Sequence, residues 1–165
     1  MAVGDLLVEL EALAGITPAV NYPLLSLRGS TWTLGFNDSA DDSVVFEFTM
    51  PSSYAGGNIT VTADVLTASD VTITNVMDFD FVFKKLTATT GRDNVDFVTG
   101  TTTLNATGNV TAVTDQPTTL TVQFLPSQID GIVAGDRLQF RCKVDSVASN
   151  YVGDAEVVNI KLTES

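Results

Sequence analysis

The chain has 165 residues, 44% of them hydrophobic and 17% charged, and its 8 Lys and Arg against 20 Asp and Glu give a formal net charge of −12. That length encloses one real core, and so acidic a surface is a poor one for meeting nucleic acid or anionic lipid. With no histidine and the single Cys142, the commonest general base, a histidine zinc site, an internal disulfide and a cysteine-only zinc site are all excluded. Composition therefore points to a structural or binding domain, not an enzyme, with no cofactor.

In chain order, Gly4-Asp5 reads as the start of a helix that Gly15 ends. Leu6, Leu7, Leu10, Leu13 and Ala14 recur at helical spacing, with Asp5, Glu9 and Glu11 largely off that stripe. So short a helix is marginal alone, so its leucines must lie against something, either their own domain or a neighbouring subunit. Pro18 and Pro23 then force an extended apolar strap from Ile16 to Leu27. Residues 1–31 are thus expected to form an N-terminal helix and extended arm. Deleting Met1 to Gly15 is expected to leave the rest folded. The first basic residue is Arg28, and no apolar run approaches the ~20 residues of a bilayer span, so neither a signal peptide nor a membrane segment is expected. The Asn-x-Ser/Thr triplets at Asn37, Asn58, Asn105 and Asn109 read as chance matches in a chain rich in Thr and Asn.

From Trp32 the period becomes two. Val44, Phe46, Phe48 and Met50 share one face; so do Ile59, Val61, Ala63 and Val65, and Met77, Phe79, Phe81 and Phe83. The same holds for Leu120, Val122 and Phe124, for Leu138, Phe140, Cys142 and Val144, and for Val158, Ile160 and Leu162. Weaker strands are expected near Thr31 to Phe36 and Gly108 to Thr114. Single-face alternation means antiparallel sheets, so residues 32–165 are predicted to form an all-β, antiparallel two-sheet sandwich. Asn37 to Asp42 and Pro51 to Gly57 read as connections, Gly135-Asp136 as a tight reversal, and Thr90 to Thr107 as a long polar loop. Ile129, Ile132 and Val133 suit one helical turn capping the sandwich.

Candidate chemistry is sparse. Asp78 and Asp80 share a strand face, but a glycosidase needs its acids across a cleft, ~5–9.5 Å apart, so a solvated face is the expectation. The acids Asp38, Asp41 and Asp42, and the pair Asp93 and Asp96, have the oxygen chemistry calcium takes without the spacing of an EF-hand; they read as polar turns. Cys142 falls in phase with core residues and has no base to activate it. No catalytic residue and no metal ligand is assigned. Trp32, Tyr22, Tyr54 and Tyr151 are the residues a sugar-binding sandwich would expose as stacking platforms, although packing is the ordinary role of each.

The run Phe46-Glu47-Phe48-Thr49-Met50-Pro51-Ser52-Ser53-Tyr54-Ala55-Gly56-Gly57, the segment Ala134 to Cys142 and the closing strand from Asp154-Ala155 to Leu162 resemble jelly-roll-like virion proteins of tailed bacteriophages. The likeness spans roughly Trp32 to Leu162; the segment before Trp32 has no counterpart in that pattern. The resemblance implies a non-enzymatic virion protein on the outer capsid surface that decorates or cements the shell. Its partners would be the major capsid protein and copies of itself, as a homotrimer. Leu6, Leu10, Leu13, Tyr22, Leu24 and Leu25 are then the expected capsid or subunit contacts. The alternative is a phage spike or receptor-binding sandwich recognising host glycans, and a third reading is a cellular carbohydrate-binding module or secreted sandwich.

Overall fold

The computed structural model describes residues 5–67, 70–87, 97–98, 101–113 and 116–165. The strands among them are β1 (Asp5–Glu11), β2 (Leu24–Arg28), β3 (Thr31–Asn37), β4 (Ser43–Thr49), β5 (Ile59–Thr67), β6 (Val76–Lys85), β7 (Thr103–Asn109), β8 (Thr118–Phe124), β9 (Arg137–Val144) and β10 (Asp154–Glu164). They form two antiparallel sheets. One runs β2-β3-β10-β5-β8 with β1 also on β10, and the other runs β4-β9-β6-β7. Without β1 and β2, the orders β3-β10-β5-β8 and β4-β9-β6-β7 are the paired four-stranded sheets of a jelly roll. Gly4, residues 90–96 (with Asp93 and Asp96) and 99–100 of the expected Thr90 to Thr107 loop, and Thr114 lie outside the described residues, and the end of that expected loop, from Thr103, is strand. The weak strand expected at Gly108 to Thr114 is displaced to β7, Thr103–Asn109.

The alternating residues of β4, β5, β6 and β9 do face inward: Val44, Phe46, Ile59, Val61, Val65, Met77, Phe79, Phe81, Phe83, Leu138, Phe140, Cys142 and Val144 are all buried. Phe36 of β3 meets Phe79 of β6 edge-on at 5.2 Å, and Phe83 of β6 meets Phe124 of β8 edge-on at 4.9 Å. Both contacts cross between the sheets, in a geometry that aromatic quadrupoles favour. One end is closed by a 3-10 turn at Pro126–Gln128 followed by buried Ile129 and Ile132, while Val133 stays exposed. Gly135 has φ of 85° and makes the reversal into β9, with its N–H donating to the Met50 carbonyl. The Pro51 to Gly57 connection is pinned by the buried Glu164 carboxylate, which accepts from the N–H groups of Ala55 and Gly57.

The expected N-terminal helix is a correction. Residues Asp5–Glu11 are a strand paired antiparallel with β10, and only Ala12–Ala14 make a single 3-10 turn. The cause lies in a register shift between Leu6 and Val8. A β-bulge inserts one extra residue into a strand, so Leu7 and Leu10 are both buried at a spacing of three while Val8 packs against the core between them. A bulged strand thereby mimics half of a helical period. The strap keeps its extended character: Ile16 bridges to Val45, and Leu24–Arg28 pairs with β3 as the sheet edge.

Candidate functional site

β10 changes partner along one edge. Its first half pairs with β3, ending at Val157 opposite Leu34, and its second half pairs with β1, from Asn159 opposite Glu11 onward. A register shift between Val157 and Asn159 marks the switch. The bulge puts Val158 out of phase with buried Ile160 and Leu162, so the sequence reading of Val158 as core is corrected: it is only partly buried. Upstream of Leu34, β3 has no β10 residue beside it. Trp32 is in phase with buried Leu34 and Phe36 yet remains 43% exposed.

Where β1 and β3 part over β10, a cleft of about 290 Å³ opens. β1 and its following turn contribute Glu9, Glu11, Ala12 and Leu13; the β2–β3 hairpin gives Ser30, Thr31 and Trp32; the bulge gives Val158 and Asn159. The Asn159 Oδ1 is buried without a hydrogen-bond partner, the one such side-chain atom among the described residues. An acceptor left this way costs about 1–3 kcal/mol, so the site gains from whatever brings it a donor.

Of the four candidate platforms, Tyr54 and Tyr151 are buried, and their hydroxyls donate to the carbonyls of Gly57 and Phe36. Tyr22 is exposed and lines a second cleft of about 340 Å³ with Asn21, Leu24, Gly35, Asn37, Ser39, Ala40, Asp42 and Asp154. That cleft lies at the other end of the β2–β3 pair from Trp32, since Leu24 sits opposite Gly35 and Leu27 opposite Trp32. The expected contact residues do not form one patch. Leu10 is buried in its own sandwich, which removes it from any docking surface, whereas Leu6, Leu13, Tyr22, Leu24 and Leu25 are exposed. Leu13 belongs to the Trp32 cleft, and Leu24 with Tyr22 to the second one.

Sequence reasoning missed Glu9, Glu11, Ser30, Thr31 and Asn159 as a group. Trp32 was the one flag available; the rest is assembled by the change of partner along β10.

The acids of the β3–β4 turn are committed elsewhere. Asp38 accepts from the Gly153 N–H, Asp42 from the Asn37 N–H, and Asp41 from Ser146 while pairing with Lys143 at 2.7 Å. Among the described residues no three His, Cys, Asp or Glu side chains are grouped to hold a metal ion. Asp78 takes a hydrogen bond from Asn105, and Cys142 is wholly buried with its thiol pushed up by that burial.

These carboxyls predict an unusual pH profile. The Lys143 and Ser146 hydrogen bonds hold Asp41 down at about 2, and Lys85 holds Asp136 low. Burial works against the charge of Asp70, but hydrogen bonds from Asn75, Thr72 and Val152 outweigh it and keep that carboxyl low as well. Burial, reinforced by neighbouring acids, raises Asp78 and Asp154. A lowered carboxyl stabilises the fold above its ordinary 3.8, and that contribution is lost as pH falls towards 2. A raised carboxyl favours the fold at low pH and loses that advantage as pH rises past 3.8. Together with relief of the −12 net charge, stability should peak near about pH 4. Thermal melts between about pH 2 and 8 check this; a Tm still climbing from 5 to 8 contradicts it.

No protein-family model matches the chain, and no curated protein matches it by sequence. Solved structures do match. A CBM35 module from Cellvibrio japonicus Abf62 superimposes with a TM-score of 0.56 at 10% identity, covering 94% of this chain and 91% of that one. CsCBM6-3 from Clostridium stercorarium, solved with cellobiose, gives 0.55 at 16% identity over 96% and 95%. The xylan-binding module CBM15 gives 0.52 at 10% identity over 96% and 97%. What is shared is the fold. The two-sheet, all-β architecture read from the sequence is that of carbohydrate-binding modules. Among the described residues no helix is long and apolar enough to cross a membrane.

Proposed function

We propose that the chain is a non-catalytic carbohydrate-binding β-sandwich and that the Trp32 cleft is where it holds a sugar ring. The observation that carries this is the chain's single tryptophan, half-exposed at a cleft that it shares with hydrogen-bonding side chains (Glu9, Glu11, Ser30, Thr31, Asn159) and with apolar Ala12, Leu13 and Val158. An indole face takes the apolar C–H face of a pyranose, and flanking carboxylates and amides take the hydroxyls. The likeness to CBM35, CBM6 and CBM15 modules supports a glycan-recognising sandwich over a capsid cement.

Titration calorimetry with a panel of soluble oligosaccharides tests the reading. Trp32→Ala should weaken the best ligand by at least about tenfold, or about 1.4 kcal/mol, while Tyr22→Ala leaves it within about twofold. Folded Trp32→Ala protein that binds as well as the parent would place the site elsewhere.

A second reading retains docking on a larger assembly, with capsid protein or a homotrimer as partner. Its support is β2, an edge strand with Leu24, Leu25 and Leu27 all exposed; such edges template pairing between chains. Sedimentation should then show an oligomer that Leu25→Lys disperses, and a monomer at every concentration counts against self-association.

A further inference from the structure

The Trp32 cleft is rich in acceptors and negative charge. Glu9 and Glu11 bring two carboxylates to it, and Asn159 lines it with a side chain whose Oδ1 is hidden from solvent and meets no donor. Lys161, opposite Glu9 in the β1–β10 register, stands 3.8 Å from that carboxylate, whereas Glu11 has no ion-pair partner among the described residues. Arg28, at the end of β2, is engaged with Glu156 and the Thr67 carbonyl. An anionic sugar would add like charge here, and a neutral one would leave the Glu11 charge uncompensated. A protonated primary amine supplies three donors and one positive charge, and the face of a tryptophan attracts the same cation.

We infer that the ligand of this cleft is an amino sugar with a free amine, such as a glucosamine unit of an oligosaccharide. Its ammonium sits between Glu11 and Glu9, and its ring lies against Trp32. A turn of the Asn159 side chain towards the cleft gives its orphaned acceptor a donor. This rests on the reading of the cleft as a sugar site.

The test titrates the full chain at about pH 5.5, where a primary amine is protonated. The ligands are a glucosamine tetramer, its fully N-acetylated counterpart, cellotetraose, an oligogalacturonate and spermine. The glucosamine tetramer should bind at least about tenfold more tightly than each of the others. Glu11→Gln, isosteric and exposed, should reduce that affinity by about tenfold and leave the thermal melt unchanged. Equal binding of cellotetraose or the acetylated tetramer, or an unchanged affinity in Glu11→Gln, overturns the amine while leaving a sugar site standing. Spermine binding as tightly overturns the sugar, reducing the contact to charge. A chain that binds no saccharide overturns both this inference and the function it rests on.

Discussion

Replacing Phe140 with alanine is expected to cost the fold about 3–5 kcal/mol. Phe140 is fully buried and its ring lies 4.9 Å from Phe83, 5.8 Å from Phe81 and 6.5 Å from Phe46. Two of these neighbours are its direct register partners, Phe46 on β4 and Phe83 on β6. Because hydrogen-bonded ladders fix their positions, they cannot slide inward to fill the gap, and incomplete collapse makes a cavity expensive. The damage also reaches the other sheet, since Phe83 carries the edge-on contact to Phe124 on β8. Urea unfolding should show a lower midpoint with an unchanged slope. A loss below about 1 kcal/mol would mean that this ring cluster is not what joins the sheets.

The strands easiest to read were those without a bulge. β4, β5, β6 and β9 carry their large apolar residues at a period of two, so these could be assigned to the core from spacing alone, although off-phase Asp78 and Val82 of β6 and Leu66 of β5 are buried as well. β1 and β10 break that period, each at a register shift. In β1 the shift imitates a helix, and in β10 it turns Val158 out of the core. Partner choice was illegible for a different reason. Nothing in Glu11 or Asn159 announces that they lie opposite each other, because their proximity is created by sheet order and not by any local preference. Trp32 could be flagged as a platform by residue type, yet so could Tyr54 and Tyr151, which the fold buries. What separates them is burial, which residue type does not announce.

Of the two strands outside the jelly-roll core, β1 lines the site directly and β2 reaches it only through its hairpin to β3. β1 lies against the second half of β10 and β2 extends the sheet beyond β3. Between them they leave the fork in which Trp32, Glu11 and Asn159 meet. An eight-stranded core alone would place β3 at an open edge, with no wall facing Trp32. The N-terminal segment thus supplies half of the candidate binding surface from within the sheet.

That placement gives the sharpest prediction about β1. On a helix, Leu6, Leu10 and Leu13 would share one stripe, and truncating any of them would have a similar effect. On the bulged strand they differ: Leu10 is 5% exposed, Leu6 54% and Leu13 58%. Leu10→Ala is therefore expected to cost about 2–5 kcal/mol, and Leu6→Ala and Leu13→Ala within about 0.5 kcal/mol of nothing. Leu13→Ala has a second readout, because Leu13 lines the Trp32 cleft and its loss should lower affinity without touching stability. Deleting Met1 to Gly15 should now unfold or severely destabilise the sandwich, because β10 loses the strand paired with its second half and the core loses Leu7, Leu10 and Ala12. Chemical denaturation of the three single variants decides between the two pictures. Equal small losses at all three leucines would restore a separable arm, whereas a loss confined to Leu10 means the strand is part of the sandwich.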